Sequence, residues 1–153
     1  MTGNELQDNV SDDDQRRPAG LILLGGLYLF FFLLTISTFG HPFPFMGRIF
    51  LGKTAESLVF IDSMVCLYLF LGIMKRQRLT WYLLLAYNCL ELINTLVNLR
   101  FISAADVGKI AGQPVEQKEL LVNNLSVGAA ILLLTIFIYR HRTYFTNRSN
   151  YLF

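Results

Sequence analysis

The stretch that decides the fold is residues 54–100, TAESLVFIDSMVCLYLFLGIMKRQRLTWYLLLAYNCLELINTLVNLR. Two long apolar arms are joined by a basic turn at residues 75–78, KRQR, and Trp81 follows it. About 20 apolar residues in a helix span the hydrocarbon core of a bilayer, and basic turns favour the cytoplasmic side. The stretch therefore predicts a helical hairpin in a membrane, with spans at about residues 55–74 and 79–99.

Two further apolar runs lie on either side of this hairpin. Residues 19–40 are uncharged and follow Pro18, which suits the first position of a helix. Residues 122–139 are apolar and precede a basic C-terminal segment. Residues 101–121 between the third and fourth spans predict an outer loop, with a short amphipathic helix around residues 114–122. The chain thus reads as an all-α integral membrane protein with four transmembrane helices in an antiparallel bundle.

The segment His41-Pro42-Phe43-Pro44-Phe45 connects the first two spans. Its two prolines prevent the first helix from continuing. The segment is nevertheless strongly apolar, which would be unusual for a loop in water. It therefore predicts a membrane-associated loop rich in proline and phenylalanine, lying at the interface or across the outer end of the bundle.

Composition excludes an ordinary soluble domain. Apolar residues make up 54% of the chain and charged residues 16%, and the mean hydropathy is +0.46. Soluble domains carry about 25% charged residues. The net charge of +2, without a basic patch that contains aromatics, argues against nucleic-acid binding. Cys66 and Cys89 both lie in apolar runs and are interpreted as small apolar side chains that form neither a disulfide nor a metal site.

Basic residues predict the orientation. Eight of the 13 Lys and Arg residues lie in the two terminal segments and the middle turn, and five lie in the other two loops. The positive-inside rule then places both termini in the cytoplasm, with the protein in the plasma membrane. Residues 1–17 predict a disordered cytoplasmic tail because they have almost nothing apolar to bury. Residues 18–142 form the predicted four-helix transmembrane domain, and residues 143–153 a second cytoplasmic tail.

Polar residues inside the spans are the candidate functional groups. At about 100° per residue, five polar residues of the third span fall within an arc of about 120°: Asn88, Glu91, Asn94, Thr95 and Asn98. Together with Tyr87 and with Asp62 of the second span they form what we call the polar seam: Asp62, Tyr87, Asn88, Glu91, Asn94, Thr95 and Asn98. Asparagine and threonine on one face of a membrane helix are typical of interhelical hydrogen bonding.

Asp62 and Glu91 are the two ionisable carboxyl groups of the polar seam. Counted outward from the turn, both lie at the same depth in an ideal antiparallel hairpin. A carboxylate near the centre of a span raises the free energy of insertion by roughly 2.5–3.5 kcal/mol, so an intramembrane acid is a functional-site hypothesis. The two groups could share one proton, or each could pair with a different neighbour.

Motifs for other chemistries are lacking. No span has the His or Glu spacing of a metal site, and no nucleophile or nucleotide-binding motif is present. The sequence accordingly predicts no catalytic residue, no metal and no cofactor.

Three functions remain open. The first is a non-enzymatic subunit or assembly partner, whose polar seam packs against a helix of the same chain, of a second copy or of another membrane protein. The second is a protein that binds or transports a small solute, an ion or a proton through Asp62 and Glu91. The third is an intramembrane lipid-modifying enzyme, for which an acid/base pair is available but no motif.

Overall fold

The computed structural model describes residues 18–147, so the predicted tail at 1–17 and residues 148–153 lie outside the description. Within the described residues, four helices are long and apolar enough to cross a membrane. They are α1 (Ala19–Ser37), α2 (Gly52–Met74), α3 (Arg78–Phe101) and, after a short α4 (Ala104–Ala111), α5 (Gln117–Arg140). These helices confirm the prediction of an all-α membrane protein.

The segment between α1 and α2 forms a small antiparallel hairpin, with strands β1 (Phe43–Phe45) and β2 (Arg48–Phe50). Its turn residues Met46 and Gly47 have φ values of 46° and 78°, both in the left-handed region. Two consecutive left-handed residues are what a two-residue hairpin turn needs to match the twist of its strands. The expected loop is therefore ordered by backbone pairing.

The short helix lies earlier than the sequence indicated. The expected amphipathic helix around residues 114–122 is wrong: α4 ends at Ala111, and residues 117–122 already belong to α5. The Ser103 side chain accepts from the Asp106 backbone and the Asp106 side chain accepts from the Ser103 backbone, which together start α4. Gly112 ends it in the left-handed conformation.

The helices pack mainly in two pairs, α1 along α2 and α3 along α5. The pairs are joined where α2 and α3 meet at the basic turn. There Gly72 is buried, and a Cβ atom at Gly72 would overlap the Thr80 side chain. A glycine at this position therefore allows the two helices to cross closely.

The main apolar core lies at the end of the molecule that carries the basic turn, which we call the turn face. Its buried members are Leu21, Leu24, Tyr28, Leu69, Ile73, Trp81, Leu84, Ile138 and Phe145. The opposite end, which carries β1 and β2, is the hairpin face.

The described C-terminal segment folds back onto the turn face. After a single helical turn at Arg142–Tyr144, the Asn147 carbonyl accepts from the Arg78 amide at 2.9 Å. The Asn147 amide donates to the Arg76 carbonyl at 3.0 Å. Part of the segment expected to be a tail is thus held against the loop between α2 and α3.

Candidate functional site

Two asparagines of α3 hold the turn of the β-hairpin. Asn94 accepts the Met46 backbone N–H through Oδ1 at 2.8 Å, and Asn98 accepts the Gly47 N–H at 2.7 Å. The Asn98 amide nitrogen donates to Asn94 Oδ1 at 3.2 Å. The two central N–H groups of a hairpin turn have no partner in the strands that the turn joins, so their acceptors must come from elsewhere. One turn of α3 therefore satisfies two turn amides.

Asp62 lies where α1, α2 and α3 come together. The Tyr87 hydroxyl donates to Asp62 Oδ1 at 2.8 Å, and the Thr35 hydroxyl donates to Oδ2 at 3.4 Å. The thiol of Cys66 lies 3.3 Å from the Tyr87 hydroxyl oxygen. Each carboxylate oxygen of Asp62 thus has a hydroxyl partner from a different helix.

A second polar contact, between Tyr28 and Asn88, joins α1 to α3 nearer the turn face. The Tyr28 hydroxyl donates to Asn88 Oδ1 at 3.1 Å. Asn88 is only 3% exposed, and its side-chain nitrogen has no hydrogen-bond partner. A buried amide nitrogen without an acceptor is destabilising by about 1–3 kcal/mol, so this atom is the unsatisfied point of the seam.

The contacts of Glu91 and Thr95 differ from those of Asn94 and Asn98. The Glu91 carboxyl interacts with the Asn94 side chain and is within electrostatic range of Asp62. That the two acids lie at a common depth, as the count along the hairpin arms indicates, stays a prediction. Thr95 donates its hydroxyl to the Glu91 carbonyl of its own helix at 2.9 Å, so this hydrogen bond joins no second helix.

Three members of the polar network were not among the sequence candidates: Tyr28, Thr35 and Cys66. Tyr28 is isolated among the apolar residues of the first span, and that isolation is the signal that could have singled it out. Thr35 has Ser37 and Thr38 close by in the sequence, so nothing distinguished it. Cys66 is buried and its thiol contacts Tyr87, whereas Cys89 is exposed, and both are free thiols. The rotation of α2 that brings Cys66 to Tyr87 is not encoded in spacing along one helix.

A cavity of about 470 Å³ opens at the hairpin face, between the hairpin, the end of α3, α4 and the start of α5. Its lining is largely apolar, with polar groups from His41, Asn98, Asn123 and Asn124. Asn98 thus has the hairpin turn on one side and this cavity on another. Asp62 and Glu91 do not line this cavity, because they lie farther from the hairpin face than Asn98 does.

No protein-family model, curated protein or solved structure matches the chain. The contacts of the polar seam are therefore the observations from which a function is proposed.

Proposed function

We propose that the chain is a non-enzymatic integral membrane protein, a small subunit or assembly partner, and that its polar seam is helix-packing structure. The observation that carries this proposal is the pair of hydrogen bonds from Asn94 and Asn98 to the hairpin turn. Both asparagine oxygens are used within the chain. Asp62 likewise has its two hydroxyl partners in α1 and α3. Groups that satisfy one another in this way act as internal contacts of the bundle.

The partner-binding surface in this proposal is one face of α5. Within its most apolar window α5 is 11% buried, the lowest share of the four long helices, and Ile138 is its only buried residue. At about 100° per residue, Ser126, Ala129 and Ala130 share one face, and all three are exposed. Ser126 and Ala130 have the small-xxx-small spacing that lets two membrane helices approach closely.

The wider arrangement is part of the same proposal. The four long helices form an antiparallel bundle in the plasma membrane, with the turn face and both termini in the cytoplasm. The support is the concentration of basic residues at the turn face, where Lys75, Arg76 and Arg78 precede α3 or begin it. Packing of Gly20 near Phe137 and Tyr144 puts the start of α1 at that face too.

The test is the mass of the particle extracted with its native bilayer into lipid nanodiscs. We expect a particle that contains a second membrane protein or a second copy of this 17.5 kDa chain. Ala130→Trp should reduce that particle to the single chain, because the indole prevents close approach at α5. Leu23→Trp on exposed α1 is the matched control and should leave the assembly intact. A wild-type particle that holds one chain alone would overturn the proposal.

A second candidate function, binding or transport of a proton or small polar solute, is favoured by one observation. The Asn88 amide nitrogen is buried and unpartnered, on the helix that also carries Glu91. An acceptor atom of a solute or water at this point would satisfy it. Proteoliposomes loaded with a pH-sensitive dye test this candidate: proton uptake that Asp62→Asn and Glu91→Gln abolish would establish it. Uptake no faster than in empty liposomes would reject a proton pathway.

A further inference from the structure

The turn face contains a second cavity, of about 440 Å³, built from two separate parts of the chain. Residues at the start of α3 form one wall, and the segment that follows α5 forms the other. Its lining residues are Arg78, Trp81, Tyr82, Arg142, Thr143, Phe145 and Thr146. The volume is within the range of small-molecule sites, roughly 300–1,000 Å³.

Arg142 is held in place by aromatic side chains of the opposite wall. Its guanidinium lies 5.1 Å from the centre of the Trp81 ring and donates to the Tyr82 hydroxyl at 3.4 Å. The Trp81 indole N–H donates to the Ile138 carbonyl at 3.0 Å, so the ring itself is fixed between α3 and α5. A guanidinium has five N–H donors, so Arg142 can contact Trp81 and Tyr82 and still donate to an oxyanion.

The opposite wall adds a second guanidinium. Arg78 is the first residue of α3, and its backbone N–H donates to the Asn147 carbonyl, which joins the C-terminal segment to the start of α3. Positive charge also comes from the N-terminal end of the α3 dipole. Thr143 and Thr146 bring two hydroxyls. Arginine with hydroxyl donors at a helix start is a common arrangement for holding phosphate.

The described acidic side chains all lie away from the turn face. The described carboxylates all lie on α2 and α3 beyond the basic turn, or on the segments at the hairpin face: Glu56, Asp62, Glu91, Asp106, Glu116 and Glu119. Among the described residues, the cavity-lining arginines Arg78 and Arg142 therefore have no acidic residue on the turn face. Trp81 and Tyr82 mark the depth of the bilayer interface, where lipid headgroups lie.

We propose that this cavity binds the phosphate-bearing headgroup of an anionic phospholipid from the surrounding leaflet. Arg78 and Arg142 would hold the phosphate oxygens from two sides, the threonine hydroxyls would donate to the polar headgroup, and the acyl chains would run along the lipid-exposed surface of α3. Anionic lipids are attracted to basic pockets between membrane helices, and each Lys or Arg near the surface contributes about 1 kcal/mol, a factor of about five in affinity. The proposal does not depend on the assembly role suggested for α5.

Trp81 makes this proposal directly measurable, because it is the only tryptophan in the chain. The full-length protein is reconstituted in phosphatidylcholine bilayers that contain either brominated phosphatidylglycerol or brominated phosphatidylcholine at the same mole fraction. Bromine quenches a nearby indole at short range. We expect the phosphatidylglycerol to quench Trp81 more strongly, and equal quenching by the two lipids would overturn the proposal.

Variants separate the site from general surface charge. Arg78→Gln and Arg142→Gln should each lower the preference for phosphatidylglycerol by about fivefold. Arg140→Gln is the matched control, because Arg140 is exposed at the end of α5 and does not line the cavity. It should keep most of the preference, and a loss equal to that of the other two would contradict a defined site. If a glutamine variant loses its helical circular dichroism, the corresponding lysine variant is measured instead. Arg78→Lys should keep most of the preference for phosphatidylglycerol. Arg142→Lys should lose part of that preference, because lysine lacks the guanidinium that contacts Trp81. Full retention in Arg142→Lys would contradict the role given to that guanidinium.

Two further arms identify the occupant. Inorganic phosphate added at fixed ionic strength should leave the preference intact, whereas abolition by phosphate but not by chloride would show a site for the free ion and overturn the lipid assignment. Asp12, Asp13 and Asp14 are the acidic run of the N-terminal segment. If a preference for phosphatidylglycerol arises only after all three are changed to asparagine, the natural occupant is this acidic segment and the lipid proposal fails.

Discussion

Asn98 on α3 accepts the Gly47 backbone N–H at 2.7 Å, across 51 positions of the chain, and so fixes the hairpin turn to the third long helix. Asn94 does the same for Met46 one helical turn earlier. A hairpin of three-residue strands is marginal without further support. The two asparagines thus give the connection between α1 and α2 a defined position over the end of the bundle.

The first prediction compares two neighbouring residues of α3. Asn94→Ala removes the acceptor of the Met46 amide, and we expect a loss of about 1–3 kcal/mol in the free energy of unfolding. Thr95→Val removes a hydroxyl that bonds only its own helix and leaves no partner N–H unsatisfied, so the loss should be smaller, about 0.5–1 kcal/mol. Reversible unfolding in mixed micelles, followed by circular dichroism, measures both. Equal losses in the two variants would mean that Asn94 does not act through the hairpin.

The second prediction concerns the Tyr87 hydroxyl, which donates to Asp62 and contacts the Cys66 thiol. Tyr87→Phe leaves a carboxylate oxygen without its donor and should destabilise the protein by about 1–3 kcal/mol. Tyr139→Phe is the control, because Tyr139 is exposed on α5. A double-mutant cycle with Asp62→Leu, which removes the acceptor oxygen, should give a coupling of about 0.5–3 kcal/mol. Additive effects of the two substitutions would contradict the contact.

The third prediction tests the close crossing of α2 and α3. Gly72→Ala should destabilise the protein by about 1–3 kcal/mol, because the new methyl group would overlap Thr80. Combining it with Thr80→Ala removes the hydroxyl oxygen that lies nearest to the new methyl group and should recover part of the loss. Gly26→Ala on α1 has open space around the new atom and should be neutral or stabilising by up to about 1 kcal/mol. If Gly72→Ala is as well tolerated as Gly26→Ala, the helices do not cross at this glycine.

The fourth prediction is a pH dependence at the start of α4. The Ser103 side chain hydrogen-bonds the Asp106 carboxylate and lowers the pKa of that carboxyl below its ordinary value. Because the folded pKa is depressed, its stabilising effect is present above the ordinary pKa of aspartate and is lost as pH falls through the folded pKa. NMR titration of Asp106 in lipid nanodiscs should show the depressed pKa, and Ser103→Ala should move it back toward the ordinary value. An unchanged pKa in Ser103→Ala would show that the capping box does not hold the carboxylate.

Much of the architecture could be predicted from the sequence, because length and hydropathy decide which segments cross a bilayer. The sequence indicated correctly that the second helix ends at the basic turn of residues 75–78 and that no helix continues through the two prolines after His41, since the missing proline N–H acts locally. The count along the hairpin arms also gives Asp62 and Glu91 a common depth, which stays a prediction. The rise per residue of an ideal α-helix is sufficient to estimate that depth.

The partners of the polar seam could not be predicted, because they depend on the rotation of each helix about its axis. Thr35 and Tyr28 reach the seam from α1, and nothing in their spacing identifies Asp62 or Asn88 as their partners. The hairpin turn was missed for a related reason. Met46 adopts a left-handed conformation that its own side chain disfavours, and the contact with Asn94, 48 positions away, helps to hold it there.

The most direct test of the central claim is the accessibility of single cysteines to a membrane-impermeant thiol reagent, in a background in which Cys66 and Cys89 are replaced by serine. Cysteines at Lys53 and Lys109, both exposed near the hairpin face, are the positive controls, and one at Asn98 should also react because that residue lines the cavity there. We expect no labelling of Asp62→Cys or Glu91→Cys in the folded protein, as a dry helix-packing seam requires. Rapid labelling at both positions would show a water-filled path to the two acids and would contradict the structural role proposed for the seam.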